Sequence, residues 1–206
     1  MQLPAILEAI GRDEVIRMSA VDILTDEHRL ILRMVNVLTF LHKRLENGLE
    51  ANVTDLTDIV DFFEIFVDKN HHAKEEDGLF PALERRGLSP QECSIKSLKR
   101  EHEQARNLMA KLTRAIEKYE TGDPTARSEV STTLRNSIDL YNDHVWKENI
   151  ILFPMSENVL QPSENNDIAS VEVEKKLGVD LRSKYEKLVN VLEETTDVGR
   201  ADNGAE

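Results

Sequence analysis

Cysteine is almost absent from the sequence: Cys93 is the only one among 206 residues. This excludes an internal disulfide and any zinc or iron–sulfur centre built from several thiolates. Cys93 also falls in a predicted loop, so we assign it no role as a nucleophile. A chain without disulfides fits a reducing compartment, and we expect a cytoplasmic protein.

Long apolar runs are absent too. No run of about 18 or more apolar residues occurs, so the sequence predicts no transmembrane helix. Arg12, Asp13, Glu14 and Arg17 interrupt the start of the chain, which excludes the apolar centre of a signal peptide. We therefore expect a protein that is neither inserted into a membrane nor exported.

Basic residues are few relative to acidic ones, 26 Lys and Arg against 39 Asp and Glu, for a net charge of −13. Phosphate groups are bound by Lys and Arg, so nucleic acid and anionic membranes are poor candidates as partners. Apolar residues make up 40% of the chain and charged residues 32%, with 8 Gly and 6 Pro. This composition is typical of a helical protein with a hydrophobic core.

Four long segments carry apolar residues at the helical spacing of three, four and seven residues. This spacing predicts helices over 20–48, 53–77, about 91–121 and about 124–150. Gly48 is expected to end the first helix, and Pro124 to lie in the first turn of the fourth. Helices joined by short loops predict an all-α fold, an antiparallel up-down-up-down four-helix bundle.

The rest of the chain is predicted to extend this bundle at both ends. We expect an N-terminal extension over 1–19, the bundle over 20–156 and a C-terminal helical appendage over 157–206. Helical patterns near 167–177 and 180–194 support the appendage. Its acidic end is expected to be disordered.

Two short sequence patterns each occur twice. "DEHRLILRM" at 26–34 is similar to "REHEQARNLM" at 100–109, and "HHAKEEDGLFP" at 71–81 is similar to "HVWKENIILFP" at 144–154. The offset between copies is 74 residues for His28 and His102, and 73 for His71 and His144 and for Glu75 and Glu148. This agreement predicts two helix pairs related by an internal repeat.

The repeat separates neighbouring candidates in "HHAKEED". With the two Leu-Phe-Pro units aligned, His72 matches Val145, whose side chain cannot bind a metal, and Glu76 matches Asn149. The repeat therefore favours the first histidine and the first glutamate of this stretch. His72 and Glu76 are less certain, either as outer ligands or as hydrogen-bonding partners of ligands.

Six residues of the repeat are predicted to meet at one end of the bundle. In each half, a histidine and a glutamate lie four residues apart and so share one helical face. An antiparallel arrangement brings the remaining histidine of each half level with them. Burial of so many polar groups would be costly without a metal. The six are His28, His71, Glu75, His102, His144 and Glu148.

Four imidazoles and two carboxylates are too many ligands for one tetrahedral zinc ion. They suit two metal ions with bridging carboxylates, and the mixture of nitrogen and oxygen ligands favours iron or manganese over soft metals. The ferritin-like di-iron bundles use Glu-x-x-His instead of the His-x-x-x-Glu found here.

In these motifs the chain resembles the hemerythrin-like, HHE cation-binding proteins over about 20–156. The resemblance rests on "EH" at 27–28 and 101–102, and on His-x-x-x-Glu followed by Leu-Phe-Pro at 71–81 and 144–154. It implies two non-haem iron ions with an oxo or hydroxo bridge, held by the same six residues with both glutamates bridging. Manganese or zinc could substitute for iron.

The family usually has a further histidine, and this sequence has no clear candidate for it. His42 lies about 21 Å along the helix from His28, so we expect it at the far end of the bundle and at the surface. His72 and Glu76 are nearer to the predicted site.

Residues beside the six are expected to support them. Glu27 and Glu101 either hydrogen-bond to ligands or lie on a solvated face. Phe80, Phe153 and Trp146 are expected to pack around the site. The proline of each Leu-Phe-Pro unit is expected to end its helix.

Two functions fit such a centre, besides a metal that only holds the helices together. The first is binding of O2, nitric oxide or a small anion, as a sensor, carrier or iron store. The second is a redox enzyme (ferroxidase, peroxide or nitric oxide reduction) or an iron donor in iron–sulfur centre repair. A catalytic centre needs a proton donor, and Tyr141 is the only candidate, so the sequence favours binding. It does not identify a redox or signalling partner.

Overall fold

The computed structural model describes residues 19–87, 95–161, 164 and 180–196, and all regular structure in these ranges is helical. The segments are α1 Ala20–Glu46, α2 Val53–Asp61, π1 Phe62–His72, π2 Lys74–Leu79, α3 Phe80–Arg85, α4 Ile95–Glu120, α5 Ala126–Lys147, π3 Glu148–Leu152, α6 Phe153–Glu157 and α7 Leu181–Thr195. The all-helical prediction is confirmed for these residues. The predicted helix at 167–177, the expected disordered end and Cys93 lie outside them.

Both ends of α1 are stabilised by local features of the sequence. Ser19 Oγ accepts a hydrogen bond from the Asp22 backbone N–H at 3.1 Å, and the Ser19 N–H donates to Asp22 Oδ2 at 2.9 Å. This reciprocal pair satisfies two backbone donors that a helix start otherwise leaves free. Gly48 follows the helix with φ of 77°, a backbone conformation that favours glycine, so its predicted role as a stop is confirmed.

The second and fourth predicted helices run further than expected, because Leu-Phe-Pro does not end them. The Phe80 N–H donates to the carbonyl of Glu75, and the Phe153 N–H donates to the carbonyl of Glu148. These are i→i+5 bonds of a π-helix, which is rare and often lies at functional sites. The proline of each unit then lies in the first turn of α3 or α6, where its missing N–H leaves no bond unmade.

Apolar side chains form two clusters, one on each side of the predicted site. The larger holds residues such as Leu30 of α1 and Val67 of π1, and the smaller holds Leu24 of α1 and Leu79 of π2. Along α1, His28 falls between the two clusters. The same order occurs in the other three long helical runs, so the site lies between two apolar layers.

Helix α7 packs on the outside of α1 and π1. The ring of Tyr185 is fully buried, 5.6 Å from the rings of both Phe62 and Phe66. Arg33 of α1 donates two hydrogen bonds to the Glu193 carboxylate, at 2.5 and 3.0 Å. The helix predicted at 180–194 is thus confirmed. Among the described residues, no helix has both the length and the apolar character needed to cross a membrane.

Candidate metal centre

Buried histidines and glutamates from six helical segments converge in two groups that share Glu75. Within each group, the candidate ligand atoms all lie within 4.8 Å of one another. The first group comes from α1, π1, π2 and π3, and the second from π1, π2, α4 and α5. The first comprises His28, His71, Glu75 and Glu148, and the second comprises His72, Glu75, His102 and His144.

Several inward atoms of these groups make no well-aligned hydrogen bond with the described residues. They are His28 Nε2, His71 Nε2 and both carboxylate oxygens of Glu75 and Glu148. An unpartnered polar atom in a protein interior costs free energy, and a buried charge costs more. Imidazole and carboxylate are the donors that iron and manganese accept, so the residues present fit metal ions.

Each carboxylate lies against one imidazole of each group. Glu148 Oε2 lies 3.1 Å from His28 Nε2 and 3.3 Å from His144 Nε2. Glu75 Oε1 lies 3.6 Å from His71 Nε2, and its Oε2 lies 3.3 Å from His102 Nε2. Both glutamates therefore stand between the two groups.

Outward hydrogen bonds orient His71 and His144. The His71 Nδ1–H donates to Glu27 Oε2 at 2.9 Å, and the His144 Nδ1–H donates to Glu101 Oε2 at 3.1 Å. A proton on Nδ1 leaves the Nε2 lone pair free to face inward, as a metal ligand requires. Of the two roles considered for Glu27 and Glu101, the structure therefore supports hydrogen bonding to the candidate ligands.

A lysine completes each of these arrangements. Lys74 Nζ donates to Glu27 at 2.5 Å, and Lys147 Nζ donates to Glu101 at 2.8 Å. Burial acts to raise the pKa of Glu101, but His144 and Lys147 outweigh it and lower that pKa to about 2. Sequence reasoning missed both lysines, although the "KE" in each copy of the repeat was a signal for them.

His28 and His102 are oriented by residues that match in the repeat. The His28 Nδ1–H donates to Asn149 Oδ1 at 2.8 Å, and the His102 Nδ1–H donates to Glu76 Oε1 at 2.6 Å. The side chain that orients each histidine belongs to the opposite half of the chain. Glu76 lies in neither group of candidate ligands and is a hydrogen-bonding partner of one of them.

Arg106 extends the contacts of Glu76 to the surface. Its Nη2 donates to Glu76 Oε1 at 2.6 Å, and its Nε donates to Asp68 Oδ1 at 2.7 Å. Burial acts to lower the pKa of His102, but Glu75 and Glu76 outweigh it and raise that pKa to about 9. Hydrogen-bonded charged side chains therefore connect His102 of the second group to the protein surface.

The structure brings His72, which the repeat did not favour, into the second group. Its ring stacks on that of His102 with centroids 3.8 Å apart and planes at 11°. The repeat matches positions in different kinds of helix, because His72 lies in π1, whereas Val145 lies in α5 before π3 begins. The wider turn of a π-helix lets successive side chains face the same interior. Burial, together with His102, lowers the pKa of His72, which keeps its imidazole neutral.

Two expectations about exposure were wrong. His42 is only 7% exposed, and its Nδ1 hydrogen-bonds with Ser131 Oγ at 2.9 Å. Trp146 is 58% exposed, because it lies between the inward positions of His144 and Glu148 on the helix. The predicted location of His42 away from the site does hold.

The two phenylalanines pack on the site as predicted. The ring of Phe153 stacks on His28 with centroids 5.1 Å apart, and that of Phe80 lies 5.9 Å from His102. Both phenylalanines are buried in the smaller apolar cluster. They cover the imidazoles on the side away from the larger cluster.

Comparisons with known proteins agree with this geometry. The chain is 22% identical over 157 residues to an uncharacterized protein of Mycobacterium bovis and to one in each of two Mycobacterium tuberculosis strains. The match spans 76% of this chain but only 61% of each relative's length. No solved structure matches the chain. Residues 19–156 match the model of the hemerythrin HHE cation binding domain, and the chain belongs to that family.

Proposed function

We propose that this protein holds two iron ions and binds a small diatomic or anionic ligand, such as O2 or nitric oxide, as a sensor, carrier or store. The observation that carries the proposal is the position of the two carboxylates. Glu75 and Glu148 each lie against one imidazole of each group, where a bridge between two ions would be. One tetrahedral ion would not use this donor set.

The contacts between helices support an antiparallel four-helix bundle around the ions. Helix α1 packs against α5, α5 against α4, and α4 against α2 and π1. Short connections over 47–52 and 121–125 join α1 to α2 and α4 to α5, and short connections make neighbouring helices antiparallel. We infer that residues 157–206 form an appendage, of which α7 packs on this bundle.

The two positions would differ in their protein ligands. His28 and His71 belong to the first group, His72, His102 and His144 belong to the second, and Glu75 belongs to both. Glu148 belongs to the first group but lies 3.3 Å from His144 of the second, so we propose that both glutamates serve both positions. The first position therefore has one protein ligand fewer, which leaves room for an external ligand. Iron with an open position supplies reversible coordination of a small molecule.

The surroundings of the first position favour retention of a ligand over turnover. His28 is covered by Phe153 and by the apolar cluster that contains Leu24. An apolar shell limits the access of water and protons. Burial raises the pKa of the Tyr141 hydroxyl, which makes it a weak acid and so a poor proton donor for an enzyme.

Metal analysis and an optical titration test the proposal. The full chain, produced in iron-replete cells, should contain two irons. Exposure of the reduced protein to O2 or nitric oxide should change its visible spectrum, and removal of the gas should reverse the change. One tightly bound zinc with no iron would contradict the two-metal site. Steady consumption of O2 with an added reductant would instead support a redox enzyme.

A further inference from the structure

A pocket of about 340 Å³ lies between π1, α4 and α5 on the side of the second ligand group. Its wall includes the ring of His72, so it reaches from the surface to a candidate ligand. This volume is at the lower end of the range for small-molecule sites, about 300–1,000 Å³, and suits a compound with a single ring.

Two buried polar groups in this wall have no partner among the described residues. Tyr141 is only 2% exposed, and its hydroxyl makes no hydrogen bond with any of the described residues. His72 Nδ1 is likewise unpartnered, and the nearest carboxylate oxygen, Asp68 Oδ1, is 3.8 Å away. Unlike His72 Nδ1, the Tyr141 hydroxyl is not fully shielded from solvent, so it is free to donate a hydrogen bond to a molecule in the pocket.

The charges in the wall are balanced. Asp68 accepts a hydrogen bond from Arg106 at 2.7 Å and lies 3.0 Å from Lys69 Nζ. With Glu64 the wall has two acidic and two basic side chains. A charged ligand would have to break the existing ion pairs, so the wall favours a neutral one.

The floor of the pocket favours an aromatic ring. Phe63 and Tyr141 stack on each other with centroids 4.6 Å apart, and Met109 is buried beside them. Aromatic rings and a thioether both make favourable contacts with a further ring.

We propose that this pocket binds a small neutral aromatic molecule with one oxygen acceptor, of the phenol or quinone class. Its oxygen accepts a hydrogen bond from Tyr141, and its ring packs on Phe63 and Met109. The bound molecule lies against His72, beside the second metal position. This goes beyond the binding of a diatomic ligand, and it rests on the pocket and the hydroxyl without requiring a metal.

A fluorine NMR titration of the full, iron-loaded chain with 4-fluorophenol tests the proposal. Binding should be saturable in the wild type. Fluorobenzene, which lacks the oxygen, and 4-fluorobenzoate, which is charged, should bind more weakly. Tyr141→Phe should weaken binding of 4-fluorophenol about fivefold, the value of one neutral hydrogen bond. Ile65→Trp, at a half-buried position in the wall, should fill the pocket and abolish binding.

Tyr119→Phe is the matched control, because the Tyr119 hydroxyl bonds to the backbone of Ala51 and to Glu50, outside this pocket. Full binding by Ile65→Trp, or no saturable binding by the wild type, would overturn the proposal. Iron content is measured on the same samples. A chain that binds 4-fluorophenol without two irons contradicts the proposed function alone, and one with two irons but no binding contradicts the pocket alone.

Discussion

Glu75 Oε2 lies 3.3 Å from His102 Nε2, although the two residues belong to different halves of the internal repeat. The reciprocal contact joins Glu148 to His28 at 3.1 Å. Each half of the chain therefore supplies a carboxylate to a histidine of the other half. Neither helix pair contains a complete group of candidate ligands, so the site requires both pairs to pack together.

Replacing Glu75 should lower the iron content of the protein more than replacing Glu76. Glu75→Gln removes a charged donor that is common to both groups, and we expect iron content to fall for both positions. Glu76→Gln removes only the partner of His102 and should keep most of the iron. Elemental analysis after gel filtration measures the difference. The opposite order of the two variants would show that the alignment of the repeat is wrong.

His72→Val introduces the residue that the repeat has at the matching position, Val145. If His72 serves the second position, iron content should fall from two ions per chain to about one. His42→Gln is the control, because it changes a histidine outside both groups. If His72→Val retains two irons per chain, His72 is not a ligand, and the candidate ligands are the six residues of the repeat.

Glu27→Gln and Glu101→Gln should each weaken metal binding by about 10- to 100-fold, as expected when the partner of a histidine ligand is lost. The neutral amide orients the imidazole less strongly and leaves the lysine beside it without its counter-charge. Competition with a chelator gives the affinities. Glu129→Gln, which alters an exposed ion pair with Lys118, should match the wild type.

Glu101 also predicts a dependence of stability on pH for the metal-free protein. Burial raises its pKa, but His144 and Lys147 outweigh burial and lower it from 4.5 to about 2. A group whose pKa is lower in the folded protein stabilises the fold fully at pH values above its pKa in the unfolded chain. That contribution is lost as the pH falls toward the pKa in the folded protein. The urea midpoint should therefore decrease from pH 4.5 toward pH 2. Glu101→Gln should flatten this decrease, and an unchanged slope would contradict the pKa shift.

Tyr185→Ala tests how α7 contributes to stability. It removes a buried ring that contacts Phe62 and Phe66, and the free energy of unfolding should fall by about 3 kcal/mol or more. Val191→Ala, at an exposed position of the same helix, should have little effect. Thermal unfolding of the full chain measures both. Equal effects of the two substitutions would show that α7 does not stabilise the rest of the chain.

The repeat was sufficient to predict which six side chains meet, because a shared spacing on helices restricts which faces can converge. It did not favour His72, because the alignment matches a residue of π1 with Val145 of α5, and the two kinds of helix turn differently. The same difference explains why the prolines of Leu-Phe-Pro do not end their helices. Lys74 and Lys147 were missed because their partners, Glu27 and Glu101, lie on other helices.

Errors at single positions have a different origin. The long helices were predicted because many apolar residues contribute to each pattern. His42 is buried against another helix, where it hydrogen-bonds with Ser131, 89 residues away in the sequence. Trp146 is exposed because its position on the helix lies between the inward-facing positions of His144 and Glu148. Such details follow from packing, and a periodic pattern does not contain them.

Segment π1 contacts two parts of the molecule. His71 and His72 face the candidate metal centre, and Phe62 and Phe66, near the start of π1, pack against Tyr185 of α7. A π turn holds one residue more than an α turn, so conversion of π1 to α-helix would advance every later side chain around the axis. The direction of both imidazoles relative to Phe62 would then change. Tyr185 of α7 therefore packs on the first turn of the segment whose π-helical register directs two candidate ligands.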